Sequence, residues 1–291
     1  MCKEIYIFDG TNLLSVEKSL SKVLHLSSKK LHNLINMYLL GNLPNLNNSN
    51  LSLQNFHEYC KGNNVSINIT ALHFDNVFFF HKTSLIDDGI FLREKGLLDL
   101  DKLLIISSPL SEYLKQKGVE FFFENEIPYI NIKGKIKPIK DLPCVNAKSS
   151  KTRIIARLTK YGAIPLEGIS GFLFLQDAKN NATYQRINYV PEFLLDLNDC
   201  VEGISNDWQN ASKQVILKCE VDIESWCRPG DYYEQESGLE KSIEIATEGF
   251  LFLAEAFARQ FFFNTSLRPS DYYPFLAHGT GLTANRIKEF I

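Results

Sequence analysis

A chain of 291 residues can bury about three quarters of the surface its unfolded form exposes, so neither disulfides nor a bound metal are needed merely to hold a core together. Hydrophobic residues make up 45% and charged residues 22%, with 31 Lys plus Arg against 34 Asp plus Glu; the net charge of -3 excludes a generally basic nucleic-acid coat. No apolar run reaches the roughly 20 residues that cross a bilayer, and no basic start followed by an apolar run opens the chain, so a cytoplasmic protein with no membrane partner is expected.

The 21 Phe and 12 Tyr predict a core with a large aromatic share. Six Cys, at positions 2, 60, 144, 200, 219 and 227, form no CxxC pair and no tight ligand cluster, which reads as a set of reduced thiols. Four Asn-x-Ser/Thr matches, at Asn68, Asn181, Asn210 and Asn264, have no leader to support export and read as chance in an Asn-rich chain.

In chain order, Glu4 to Leu14 predicts a short strand ending in a turn at Asp9-Gly10. Helical spacing follows over Ser15–Leu24 and Ser27–Leu40, with Ser15 and Ser27 as expected caps. Residues 41–52, rich in Asn with Gly and Pro, have the composition of a surface loop. Strands are expected at Val65–Leu72 and over the aromatic run Val77–Thr83, then a helix or turn over Ile86–Lys95 closed by Gly96. Asp101–Lys117 has a helical pattern, and Val119–Phe123, Tyr129–Ile132 and Ile136–Ile139 read as short strands set apart by Gly and Pro.

Further on, Ile154–Leu158 and Pro191–Leu197 read as short helices and Gly171–Leu175 as a strand. Gln214–Ile223 reads as a strand with Val215, Leu217, Cys219, Val221 and Ile223 on one face and Lys218, Glu220 and Asp222 on the other. Gly238–Phe262 is the longest helical segment, and a helix is expected at Thr283–Phe290. Interleaved strands and helices without a βαβ rhythm predict an α+β fold, with a split or strongly bent mixed β-sheet flanked by helices. The expected division is an amino-terminal helical region, 1–64, and an α+β domain, 65–291.

Among candidate functional groups, His81 and Thr83 stand at the end of the aromatic strand and project to one side of it, a donor pair suited to a ribose or an amide. The alternative is a satisfied strand-end histidine with a capping hydroxyl. Arg153 and Arg157, four residues apart, share a helix face that either grips a pyrophosphate or forms, with Lys148, Lys151 and Lys160, a solvated basic surface. Glu220 offers a carboxylate to a cleft or to water beside Lys218.

His-x-Thr at the end of an early strand, followed by Ile90-x-x-x-x-x-Gly96-Leu97-Leu98, resembles the start of ADP-ribosyltransferases of the His-Tyr-Glu kind, including toxins that modify DNA or RNA. The resemblance covers residues 73 to 104. It implies NAD as the bound dinucleotide and gives His81 the nicotinamide ribose. An aromatic residue, Tyr129 or Tyr161, would stack on nicotinamide, and Glu220 would stand near the developing positive charge. It also implies a nucleic-acid or protein acceptor, and a regulatory protein in the producing cell.

Three other readings compete. A non-enzymatic protein- or nucleic-acid-binding module would use Trp208, Trp226 and the pairs Tyr232-Tyr233 and Tyr272-Tyr273 as surface anchors. A metal-dependent nuclease would start from Asp9 in Ile7-Phe8-Asp9-Gly10-Thr11-Asn12, but no spacing ties it to further carboxylates, and no metal site is assigned. Cysteine-protease chemistry through Cys60 and His81 has no local motif behind it.

Overall fold

The computed structural model describes residues 4–42, 53–62, 71–142, 148–158, 168–180, 190–227, 237–260, 274–276 and 281–291. The fold is α+β, with a mixed sheet flanked by helices and a helical stretch near the amino terminus. Strand β1 (Ile7–Phe8) is followed by α1 (Leu13–Val23), α2 (Ser28–Asn42) and α3 (Leu53–Gly62). Next come β2 (Asn76–Leu85), α4 (Ile90–Lys95), α5 (Leu100–Ile105), α6 (Pro109–Gln116) and strands β3 (Val119–Glu124), β4 (Ile127–Ile132) and β5 (Lys135–Pro138). After α7 (Lys148–Leu158), α8 (Leu175–Asn180), α9 (Glu192–Asn198) and α10 (Ile204–Ala211) come β6 (Lys213–Asp222) and β7 (Trp226–Cys227). The chain ends with α11 (Gly238–Ala258), β8 (Phe275–Leu276) and β9 (Ile287–Phe290).

The main sheet has the order β1-β2-β6-β9, with β1 parallel to β2 and β6 antiparallel to β9; β3-β4-β5 form a separate antiparallel sheet. By contact density the chain divides into one unit of Met1–Phe79, Phe172–Asp177 and Glu220–Pro274, and a second of Phe80–Gly171, Ala178–Cys219 and Phe275–Ile291.

The first unit is built on aromatic contacts. Phe8 meets Phe74 and Phe174 edge to face, at centroid distances of 5.6 and 6.0 Å, and Phe174 stacks on Phe252 of α11 at 4.3 Å. Helix α11 packs against α1, α2 and α3, and can approach Phe8 closely because Gly249 has no side chain: a Cβ there would lie 2.8 Å from the Phe8 ring. Helix α1 starts two residues earlier than its apolar spacing suggests, because Asn12, not Ser15, is the cap; its side chain accepts from the Ser15 N–H at 3.0 Å.

In the second unit, Trp208 meets Tyr113 edge to face at 5.0 Å and donates its Nε1–H to Ser84 at 2.8 Å, while the Tyr113 hydroxyl donates to the Ile204 carbonyl. The helical pattern of 101–117 divides into α5 and α6 at Ser108-Pro109, where Pro109 opens a new helix and Ser108 and Ser111 form a reciprocal cap. Both connections of the three-stranded sheet are two-residue turns with positive φ at each central position, Asn125-Glu126 and Lys133-Gly134. That geometry matches the twist of the flanking strands.

Two segments depart from expectation. Residues 171–174 form no regular strand, and Leu175 begins α8; the apolar run is buried as an irregular segment against Gly10 and the Phe8 cluster. The segment 283–290 is a short 3-10 turn and the edge strand β9, since Ile287–Phe290 pairs with β6. Most of the strand expected at 65–72 lies outside the described residues.

Cys200 is disulfide-bonded, so the reading of uniformly reduced thiols does not hold there; the three-dimensional approach of two thiols, which sequence spacing does not report, decides pairing. Cys60, Cys219 and Cys227 are free, and burial pushes the thiols of Cys60 and Cys219 up to about 12. Neither supplies a thiolate near neutral pH. Among the described residues, no helix is long and apolar enough to cross a membrane.

Gly10 is the tightest backbone approach in the first unit. A Cβ there would sit 2.0 Å from the Leu173 carbonyl oxygen, and the Gly10 carbonyl accepts from the Leu175 N–H at 3.1 Å. Gly10→Ala is expected to cost about 2–3 kcal/mol through this overlap. An unchanged urea midpoint would show that the segment yields freely.

Candidate functional site

His81 lies in β2, half-buried, and its Nδ1 is 2.8 Å from the Ser170 carbonyl oxygen. A carbonyl can only accept, so Nδ1 carries the proton and the neutral ring presents Nε2 as an acceptor. Burial lowers the His81 pKa, and the Ser170 contact opposes that shift without reversing its direction. Ser170 is itself held by a bridge to Phe275, and the Leu276 N–H donates to the neighbouring Ile169 carbonyl at 2.9 Å. The ring is thus fixed in both tautomer and orientation. Thr83 is half-buried two residues further along the strand.

Lys82, between them, is buried with 8% exposure, and desolvation lowers its pKa. It projects to the opposite side of β2, the side of Ser84 and its Trp208 partner.

The Ile90 to Leu98 element forms α4 followed by a fixed glycine turn. The Asp87 carboxylate accepts from the N–H groups of Gly89 and Phe91, at 3.0 and 2.7 Å, which holds the start of the helix. Gly96 has φ +80, and a Cβ there would lie 2.0 Å from the Leu282 carbonyl oxygen. Leu97 and Leu282 exchange both backbone hydrogen bonds, at 2.8 and 2.7 Å. The Gly-Leu pair therefore clamps the segment after His81 to the carboxy-terminal stretch of the same unit.

Glu220 is half-buried in the first unit, and its Oε1 accepts from Asn76 Nδ2 at 2.7 Å. His81 belongs to the second unit, and its partner is Ser170.

Arg153 and Arg157 share a face of α7, as their spacing predicts, and both are directed at Asp196 of α9. Arg153 Nε donates to the two carboxylate oxygens at 2.9 and 3.1 Å, and its Nη2 donates to Oδ1 as well as to Ser150 Oγ at 3.1 Å. Arg157 Nη1 reaches Asp196 Oδ2 at 2.7 Å and its Nη2 pairs with Glu192 at 2.6 Å. The Asp196 side chain is only 3% exposed. The hydrogen bond to Asp196 raises the Arg153 pKa above its already high ordinary value. A buried carboxylate between two guanidinium groups is a structural clasp of α7 onto α9. The side chain of Lys148 and all of Lys160 lie outside the described residues.

Tyr129 sits in β4 and stacks on Phe122 of β3, with centroids 5.5 Å apart and planes 13° from parallel. Tyr161 lies outside the described residues, as do Tyr232, Tyr233, Tyr272 and Tyr273. Trp208 and Trp226 are 3% and 0% exposed, so neither anchors a surface. Asp9 Oδ1 accepts from the Thr11 N–H at 3.0 Å and from the Thr11 hydroxyl, which makes it a turn-forming carboxylate. Among the described residues, no group of three or more His, Cys, Asp or Glu is placed to hold a metal ion.

Ser170 and Asp196 escaped the sequence reading for different reasons. Ser170 acts through a backbone carbonyl that any residue could provide. Glu192 and Asp196 are an i, i+4 acidic pair on α9, a visible complement to the basic pair on α7, but only the packed helices join them. No protein-family model matches this chain, and no curated protein or solved structure matches it either.

The lowered pKa of His81 has a consequence with a definite sign. As pH falls below about 6.5, the unfolded chain takes up the proton before the folded one, so stability declines with acidity in that range. His81→Gln should flatten the decline in urea midpoint between pH 7.5 and 5.5; equal slopes in both proteins would contradict the buried neutral ring. Separately, Asp196→Ala should lower stability by about 2–3 kcal/mol, less than breaking a fully buried pair because both arginines reach water. Denaturant melts with no change would remove the clasp.

Proposed function

We propose that the chain transfers ADP-ribose from NAD to a macromolecular acceptor, with His81 as the ribose-holding residue. The observation that carries this reading is the fixed tautomer of His81: Nδ1–H donates to Ser170, which leaves Nε2 as an oriented acceptor at a half-buried position. A ribose hydroxyl is a donor of matching chemistry, and a ring kept neutral by burial accepts its hydrogen bond over a wide pH range. The strand, helix α4 and the Gly96-Leu97 clamp follow in the order that the resemblance implies.

The residues fit part of that dinucleotide's chemistry. His81 suits a sugar hydroxyl, and Thr83 adds a hydroxyl on the same side of β2. Arg153 and Arg157 have their guanidinium groups engaged by Asp196 and are given no pyrophosphate role in this proposal. Tyr129 has Phe122 as its stacking partner, and the Glu220 carboxylate role rests on the resemblance. In the reaction, the bond between the ribose anomeric carbon and nicotinamide breaks, nicotinamide leaves with the bonding electrons, and an acceptor nucleophile bonds to that carbon and gives up its proton. Water competes for the same carbon, so a half-buried His81 favours transfer over hydrolysis.

The test is NAD turnover by the purified chain with DNA, RNA or protein as acceptor, read as nicotinamide release and as a mass increase of one ADP-ribosyl group. Loss of the ribose contact in His81→Ala should lower kcat/KM about 100-fold. Glu220→Gln tests the carboxylate separately. Absence of turnover with every acceptor, or undiminished turnover in His81→Ala, would refute the proposal.

A further inference from the structure

We infer that Lys82 is a covalent binding site for a small aldehyde or ketone, which its amine takes up as an imine while the Ser84 hydroxyl donates to the carbonyl oxygen. The site lies within the second unit, on the side of β2 turned away from His81 and Thr83, and does not depend on NAD chemistry.

The first observation is a buried lysine with nothing to bind. Among the described residues two lysines are buried, Lys82 at 8% and Lys241 at 7% exposure. Lys241 Nζ donates to the Glu224 carbonyl at 2.9 Å, the arrangement that burial of a lysine ordinarily requires. Lys82 forms no hydrogen bond and no ion pair among the described residues. Its Nζ is not one of the unpaired side-chain atoms sealed from solvent, so burial falls mainly on the stem and the amine keeps an opening. The packed stem restricts where the amine can sit, and no carboxylate holds it as an ammonium ion. Desolvation acts in the same direction: it lowers the Lys82 pKa, which leaves a larger share as free amine than in an exposed lysine.

The second observation is an unspent donor beside it. Ser84 is buried two residues further along β2, about 6.6 Å on and on the same side of the strand. An indole N–H can only donate, so Ser84 Oγ accepts from Trp208 Nε1, at 2.8 Å. The Ser84 hydroxyl hydrogen has no acceptor among the described residues. Trp208 is held in turn by its edge-to-face contact with Tyr113. One side of β2 thus carries a nucleophile and a hydrogen-bond donor, neither of them engaged by the chain.

A carbonyl compound uses both groups. The amine nitrogen bonds to the carbonyl carbon and a proton passes from nitrogen to the carbonyl oxygen. The C–O bond of this carbinolamine then breaks, water leaves with the second nitrogen-bound hydrogen, and a C=N bond remains. No oxidant or reductant enters. A carbonyl compound is favoured over a simple anion because an anion needs the ammonium form, which burial disfavours. The limited exposure of Lys82 restricts the ligand to a small one.

The experiment is labelling of the full chain with propanal and sodium cyanoborohydride at pH 7, which reduces each imine to a stable propylamine. Proteolysis and mass spectrometry then give the rate at every lysine. Lys82 is expected to be labelled several-fold faster than the exposed Lys133, Lys135 and Lys140, while Lys241, buried to the same degree but hydrogen-bonded, stays unlabelled. In urea the preference for Lys82 should vanish, because only the folded chain creates it. Lys82→Met, which keeps the apolar stem, should remove the fast phase of total labelling without lowering the urea midpoint, and Ser84→Ala should slow labelling at Lys82. Labelling at Lys82 no faster than at the exposed lysines, or a preference that persists in urea, would overturn the inference. An undiminished rate in Ser84→Ala would overturn the role given to that hydroxyl.

Discussion

A strand enclosed on both faces has little freedom to carry unpaired polar groups, and β2 carries several. Asn76 is 9% exposed and donates to Glu220; Ser84 is 3% exposed and accepts from Trp208. His81 donates to the Ser170 carbonyl. Each bond ties β2 to an element distant in sequence, so satisfying this one strand positions β6, α10 and the 168–171 segment within their own units. Lys82 is buried on the same strand, and desolvation lowers its pKa. The function proposed for His81 follows from the same requirement, because the bond that satisfies one ring nitrogen defines what the other can do.

What could be read in advance follows the range of the interactions involved. Strands β2 and β6 and the β3-β4-β5 hairpins were legible because alternation, Gly and Pro are local signals. Helix α11 was legible for the same reason, and its reciprocal cap of Ser237 and Glu240 lies within four residues. The segments 171–174 and 283–290 were misread because an apolar run is compatible with strand, helix or irregular backbone. Which of these forms depends on Gly10 in one case and β6 in the other, both remote in sequence. The cap at Asn12 shows the limit at shorter range: Ser15 and Asn12 are both good caps, and the preceding Asp9-Thr11 turn sets where the helix can begin.

The candidate site was legible to a similar depth. His81 and Thr83 could be singled out because the aromatic run around them fixes a strand, and the structure retains both half-buried on it. The partner that gives His81 its chemistry, Ser170, is 89 residues away and contributes only main chain, so no side-chain pattern could announce it. Arg153 and Arg157 were correctly placed on one helix face, but spacing reports only that two charges converge. Asp196, 43 residues from Arg153, decides that they converge on a carboxylate of the chain.

Near-neutral net charge is therefore a poor guide to where charge is available. The most basic-looking segment, 147–160, contains two arginines engaged by a carboxylate that is itself almost fully buried. Releasing them to a ligand would strand Asp196 in a poorly solvating environment, a cost that an exposed lysine does not carry. The lysines of 133–140 are the reverse case: they stand on and beside the outer strand β5, and among the described residues none of the four forms an ion pair. Edge strands that carry lysine are also protected against pairing with another chain, because bringing such an edge close to its own copy sets like charges together.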